Sequence, residues 1–460
     1  MAAPRQGATD VGAASRFIVS PVELPVFLGG CSVNEFLSSI VVIGLGIALL
    51  SLTQNNTSER DRRIIWMCFW AHIASAFILI WLTYNVLGGG DIEVYYYYGE
   101  ALSQFVERNP GRWAPEVLKL IFQLDAELPI HVYGSEGSST TTMIGITCFL
   151  MLATGGAEYG TGLLFSLLAF SGQIGMYKAF RAHIPEEYQP RFLVAIFLVP
   201  SAVFWTSGVV KEAVAIGGMG WMMWGLHSWI VEKRRLTAVF WLYVGGVLVS
   251  ISKAYVLFPM AIAGGIWWFW HHSLSTKGSV GVAAKPLYLI GAAAVAMVVM
   301  IGLGELFPQY SVAELGEEAA ELQYQGQRVD GGSNYQMGDP TETSLGGQLA
   351  FAPVAISSAL FRPMIVEAHN AVAIINGLEM LAVKLLWLVA LYRRGFGGIW
   401  RLFRSSPALM FCAVFVLLFS LGVGLATTNL GTLSRYRVPM MPMYVMMLMM
   451  AVPKDSDNGR

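Results

Sequence analysis

The sequence predicts an all-α polytopic membrane protein, on three observations. Of 460 residues, 55% are hydrophobic and only 13% are charged, with a mean hydropathy of +0.57. A water-soluble domain usually carries about 25% charge, so too few charged side chains are present here to cover a water-exposed surface. Apolar runs recur along the chain, most of them close to the roughly 20 residues that cross a hydrocarbon core. Clusters of Lys and Arg fall between these runs on one side. A net charge of −1 supplies no basic surface for nucleic acid.

Taken in order, the expected spans are 34–53, 64–87, 158–180, 192–207, 210–230, 237–252, 255–271, 286–306, 368–392, 407–426 and 438–452. They number about eleven, several of them short for a bilayer. The run 142–154 is apolar but only about a dozen residues long, which reads as an interfacial or re-entrant piece. With these spans, the clusters around Arg60, Lys178, Lys233, Lys277 and Arg393 share one face. That face holds most of the 29 Lys and Arg in much the shorter loops, so it is expected to be cytoplasmic. Residues 1–33 then form an extracytoplasmic segment, 34–452 the transmembrane domain, and 453–460 a cytoplasmic tail. The first thirty residues lack a basic stretch followed by an apolar core, so no cleavable signal peptide is expected.

Two long loops face outward, at 88–141 and 307–366, and each is expected to carry amphipathic juxtamembrane helices. The first begins GGGDIEVYYYYGEAL; the middle of the second is acidic and Gly-rich and is expected to be mobile. Cys31, Cys68, Cys148 and Cys412 are far apart and read as small apolar residues. The Gly217/Gly218 and Gly245/Gly246 pairs predict close helix packing. No HExxH, P-loop or GxSxG element is present, which argues against a zinc hydrolase, an ATPase and an α/β-hydrolase.

Sorting polar residues by side gathers Asp91, Glu93, Lys211, Glu212, Lys253, Arg362, Arg435 and Arg437 near outward span ends. A charge at a span centre costs roughly 2.5–3.5 kcal/mol on insertion scales, so such residues pair, snorkel or face a wet cavity. Two carboxylates among several cations suit a lipid phosphate bearing a polar head group. Arginine would bind the phosphate in bidentate fashion, and a carboxylate would accept a proton from an attacking hydroxyl. Each residue also has a plainer reading. Asp91 caps a helix starting at Ile92; Tyr95 to Tyr98 form an aromatic belt; Glu93 lies on a solvated face. Lys211 and Glu212 pair with each other; Arg435 and Arg437 snorkel and anchor the last span.

Three patches bring a family into view. GGGDIEVYYYYGEAL resembles the first external loop of GT-C glycosyltransferases, polytopic enzymes that use polyprenyl-phosphate-linked sugars. PSAVFWTSGVVKEAV and SRYRVPMMP resemble elements of the family-39 branch, which includes protein mannosyltransferases and aminoarabinose transferases. The resemblance implies a sugar donor on a polyprenyl phosphate and a glycan, lipid or protein acceptor. It implies Asp91 and Glu212 as catalytic carboxylates, with Arg435 and Arg437 on the phosphate; Lys211, which is not carried over from the family, and Arg362 join them there by shared sidedness. Glu93, Tyr96, Tyr436 and Lys253 complete the candidate set. No cofactor is certain; Asp91 and Glu93 would hold Mg2+ or Mn2+ if a metal is used. In the family the acidic residue usually follows the first span; here it follows the second. The implied location is a cell inner or plasma membrane. Competing readings are a polysaccharide polymerase or ligase using lipid-pyrophosphate glycans, a lipid-linked-sugar transporter, and a subunit of an envelope complex. A transporter predicts internal repeats, and a scaffold subunit predicts fully paired charges.

Overall fold

Leucine, valine and phenylalanine side chains that water would reject cover the outside of this molecule. Helix α1 (Val33–Thr53) exposes Phe36, Leu37, Val41, Leu45 and Leu49, so its outer stripe faces lipid. The computed structural model describes residues 33–454 apart from 55–56, 87, 133–137, 369, most of 276–314 and most of 329–343. Among the described residues the chain is all-α, and six helices are long and apolar enough to cross a membrane. It is a membrane protein by length and composition of its helices.

The chain continues through α2 (Glu59–Asn85), α3 (Asp91–Arg108), α4 (Pro110–Ile121), α5 (Ser139–Thr154) and α6 (Glu158–Phe180). Two short helices follow, α7 (Gln189–Phe197) and α8 (Pro200–Trp205), then α9 (Lys211–Ile230), α10 (Arg235–Lys253) and α11 (Leu257–Ser275). The second half holds α12 (Leu315–Arg328), α13 (Leu345–Ala350), α14 (Ala352–Phe361), α15 (Ala371–Ser405), α16 (Pro407–Ala426), α17 (Leu430–Tyr436) and α18 (Met441–Ala451). Amphipathic helices α3 and α4 occupy the first long loop; α12, α13 and α14 occupy the second.

Glycine places α9 at the centre. A Cβ on Gly220 would lie 1.8 Å from the Gly172 carbonyl oxygen of α6, and one on Gly218 would lie 2.6 Å from the Gly245 oxygen of α10. The three backbones approach more closely than any side chain allows, as small-residue packing predicts. Gly246 departs from the expectation, since a Cβ there would meet open space. At 20 residues, α9 is about 30 Å long and matches a hydrocarbon core. Its first turn therefore carries Lys211 and Glu212 to one end of the bundle.

Three expectations need correction. The run 192–207 is not one helix. It breaks at Leu198 and Val199 ahead of Pro200, because a residue before proline is pushed out of the helical region. The apolar run 142–154 belongs to a continuous helix, Ser139–Thr154, capped by the Ser138 side chain and buried on α3, α4 and α6. At 16 residues it is longer than the apolar run from which it was expected. The last expected span contains only a 3-10 turn at Val438–Met440 and the eleven residues of α18, nearly all buried by neighbours. Residues 1–32 and 455–460 lie outside the described residues, as do eight positions of the expected span 286–306, whose described positions are helical, and Glu314, Asp330, Asp339 and Glu342 of the acidic loop. Cys68, Cys148 and Cys412 are buried packing residues; Cys31 lies outside the described residues.

Candidate functional site: a cation-rich carboxylate cluster

Four chain reversals converge at one end of the bundle. After α2 the chain turns through Gly88, Gly89 and Gly90, with φ of 70°, 92° and 97°. Glycine alone adopts this left-handed run without penalty, and it delivers Asp91 as the first residue of α3. Helix α9 begins at Lys211 and Glu212. Helix α10 ends at Lys253, where a 3-10 turn folds the chain into α11. Asn429 caps α17 by accepting from the Gly431 and Thr432 amides, which sets the short helix bearing Arg435.

Arg435 joins these pieces. Its Nη1 donates to Asp91 Oδ2 at 2.8 Å and its Nε to Glu212 Oε1 at 2.9 Å. Lys253 Nζ meets the same Glu212 oxygen at 2.9 Å. Lys253 also donates to the Tyr255 hydroxyl at 3.2 Å and lies over the Tyr436 ring, 4.5 Å from its centroid. The Arg435 guanidinium stands 5.6 Å from the Trp205 ring centroid. Lys211 Nζ donates to Thr140 Oγ1 at 3.1 Å.

Burial is graded. The Glu212 side chain is 0% exposed, Lys253 5%, Arg435 19% and Asp91 54%. One carboxylate is thus sealed inside and the other faces outward, with a single guanidinium between them. Burial alone would pull the Arg435 guanidinium down, but Glu212 and Asp91 outweigh it and hold it above its ordinary value. Three cations, Lys211, Lys253 and Arg435, stand against two carboxylates. The cluster therefore carries one formal positive charge in excess and suits a further anion. Glu212 Oε2 is buried and has no hydrogen-bond partner, so the cluster is not fully satisfied internally.

Several candidates fall elsewhere. Arg437 is fully buried, and its Nη1 donates to the Arg362 carbonyl oxygen. It stands two positions from Arg435 on a helical turn, about 200° around the axis, and so faces away. Arg362 pairs with Glu367 and lies 4.3 Å from the Tyr335 ring centroid; burial pushes the Tyr335 hydroxyl up to about 12. Tyr96 points to the opposite side of α3 and donates to the Glu158 carbonyl at 2.8 Å. Asp91 and Glu93 lie two positions apart in the first turn of α3, where helix geometry turns them away from each other. Among the described residues no group of three His, Cys, Asp or Glu converges.

The plainer readings divide too. Asp91 is not an N-cap: α3 begins one residue early, Gly90 takes the capping position, and the Asp91 carboxylate goes to Arg435. Lys211 and Glu212 do not pair. Adjacent helical residues diverge by about 100°, so Lys211 reaches α5 while Glu212 reaches α10 and α17. The sequence did not single out Trp205, Tyr255 or Thr140. Only the Pro-delimited end of α8 and the tyrosine two residues after Lys253 offered a signal. Glu379 was also missed; it anchors α8 by accepting from the Ser201 amide and hydroxyl, both at 2.7 Å.

Comparison of the chain with models of known protein families, with curated proteins and with solved structures found no match.

Proposed function

We propose that this chain is an integral membrane glycosyltransferase. It transfers a sugar from a polyprenyl-phosphate-linked donor to an acceptor hydroxyl on the extracytoplasmic face, within a GT-C-like arrangement of about eleven spans. The observation that supports this reading is the single Arg435 guanidinium shared between outward Asp91 and sealed Glu212, with Lys253 beside them.

In this reading the donor phosphate competes for Arg435 Nη1 and releases Asp91. The Asp91 carboxylate then takes the proton from the acceptor hydroxyl. The acceptor oxygen bonds to the anomeric carbon as the bond from that carbon to the phosphate oxygen breaks, and configuration inverts. The departing polyprenyl phosphate keeps the electron pair, and its added charge falls on Arg435 and Lys211. Preorganised cations at the point where negative charge develops are the largest contribution such a site makes. Glu212 is a positioning residue, since it fixes the Arg435 and Lys253 head groups from behind.

A second reading has its own support. The mutual pairing of these charges is what a non-enzymatic subunit of an envelope complex would also use. Sugar release from polyprenyl-phosphate donors separates the two. Asp91→Asn and Arg435→Ala are each expected to lose turnover by about 10²–10⁴-fold while eluting as folded protein. No release by the wild type on any such donor, or equal release by all three proteins, leaves the scaffold reading.

A further inference from the structure

Helix α3 turns one tyrosine into the bundle. Tyr95 stands four residues after Asp91, on the same face of the helix and one turn, about 6 Å, further along it. It is 1% exposed, where the aromatic belt expected of Tyr95 to Tyr98 would leave it at the surface. Its hydroxyl is buried and completes no hydrogen bond. The polar groups that act on this hydroxyl are Asp91, Arg435, Glu212 and Thr140. A buried hydroxyl without a partner is destabilising, so one that persists beside a charged cluster calls for a role.

We propose that the Tyr95 hydroxyl is a further donor to the phosphate of the lipid carrier, alongside Arg435 and Lys211, with the Thr140 hydroxyl standing where a phosphate oxygen would bind. The identity of the carrier rests on the transferase reading. Lys211 Nζ donates to Thr140 Oγ1 at 3.1 Å, and the Tyr95 hydroxyl lies toward the same side chain. Two donors from different helices, α9 and α3, thus converge on one neutral oxygen of α5. An anionic oxygen is a stronger acceptor than a threonine hydroxyl, so a phosphate displaces Thr140 from both.

Burial first, and then the Asp91 carboxylate, push the Tyr95 phenol above its ordinary value, so it keeps its proton and acts as a donor. The way in follows from the pairing already described. Asp91 is the exposed member of the cluster and holds Arg435 Nη1. A phosphate that takes this nitrogen moves Asp91 aside and stands one helical turn from Tyr95. The next tyrosine supplies the contrast. Tyr96 is equally buried, but its hydroxyl donates to the Glu158 carbonyl at 2.8 Å. One hydroxyl ties two helices together, and its neighbour is held in reserve.

The test measures binding of undecaprenyl phosphate to the full-length protein in detergent, with undecaprenol and inorganic phosphate as comparison ligands. Tyr95→Phe removes one oxygen and is expected to weaken undecaprenyl phosphate binding about 10- to 100-fold. Its melting temperature without ligand should stay at or above that of the wild type, because the lost hydroxyl had no partner. Tyr96→Phe should do the reverse, lowering the melting temperature and leaving binding unchanged. Thr140→Val, which removes only the stand-in hydroxyl, should bind at least as tightly as the wild type; weaker binding overturns the stand-in role. Unchanged binding in Tyr95→Phe, or an equal weakening in Tyr96→Phe, overturns the proposal whatever sugar release shows. Binding that depends on Tyr95 in a protein that releases no sugar supports it and overturns the transferase reading alone. Equal binding of undecaprenol overturns the assignment to phosphate, and displacement by inorganic phosphate at equal concentration overturns the assignment to a lipid.

Discussion

Two buried carboxylates, Glu212 at one end of the bundle and Asp61 at the other, are both 0% exposed and both bound by arginine, yet they sit in different electrostatic settings. Asp61 Oδ2 accepts from Arg181 Nε at 3.1 Å and from the Tyr177 hydroxyl at 3.2 Å, and Arg181 goes on to Glu186 at 2.9 Å. With Arg60 nearby, two cations balance two carboxylates, and Arg181 is 27% exposed to solvent. Around Glu212 the cations exceed the carboxylates, Lys253 is sealed, and the path outward runs through Asp91. A balanced cluster at a solvent edge is a clasp between helices. An unbalanced one, graded from sealed to open, retains capacity for an added anion.

The comparison breaks most sharply on charge removal. Glu212→Gln strands Lys253 and Arg435 and is expected to cost about 3–5 kcal/mol, read as a large loss of thermal stability in detergent. Asp61→Asn should cost less, about 1–3 kcal/mol, because Arg181 reaches water and Glu186. Equal losses would mean that the two clusters are equivalent clasps. Gly220→Val acts on the crossing between them, since α6 ends next to Arg181 and the first turn of α9 carries Glu212. Overpacking against the Gly172 backbone should cost about 1–3 kcal/mol or more and loosen both ends together; a wild-type melting temperature would refute the close crossing.

The smallest effect concerns Arg362 and Glu367. Burial alone would raise the Glu367 carboxyl, but hydrogen bonds from Arg362 and the Met364 amide outweigh it and hold the carboxyl below its usual range. Its contribution is complete above the unfolded carboxylate value of about 4.3 and is lost as pH falls from there toward the folded value. Melting temperature measured from pH 6 to pH 3.5 should show this loss, worth less than about 1 kcal/mol, and Glu367→Gln should remove it. An identical acid profile in the variant would show that the pair contributes nothing.

Hydropathy alone located α1, α2, α6, α9, α10, α15 and α16 closely, because each must match the hydrocarbon thickness or be buried beside one that does. It failed at 192–207, where a proline overrides an apolar run, and at 139–154, where Ser and Thr begin a helix that hydropathy starts late. Within the site, Asp91, Glu212, Lys253 and Arg435 were legible because chain reversals at the same end bring span-end residues together. Arg437 and Arg362 shared that sidedness and still point elsewhere.

Composition and spacing therefore determined the solvent this chain requires, the helical class and the end of the bundle at which its charges collect. These follow from the cost of exposing apolar surface and burying charge, and both are readable residue by residue. Which charge meets which was settled by helix rotation and by glycine-to-backbone crossings. Neighbours in sequence such as Lys211 and Glu212 diverge by about 100° on a helix, while Arg435 and Asp91 meet only after the whole bundle has closed.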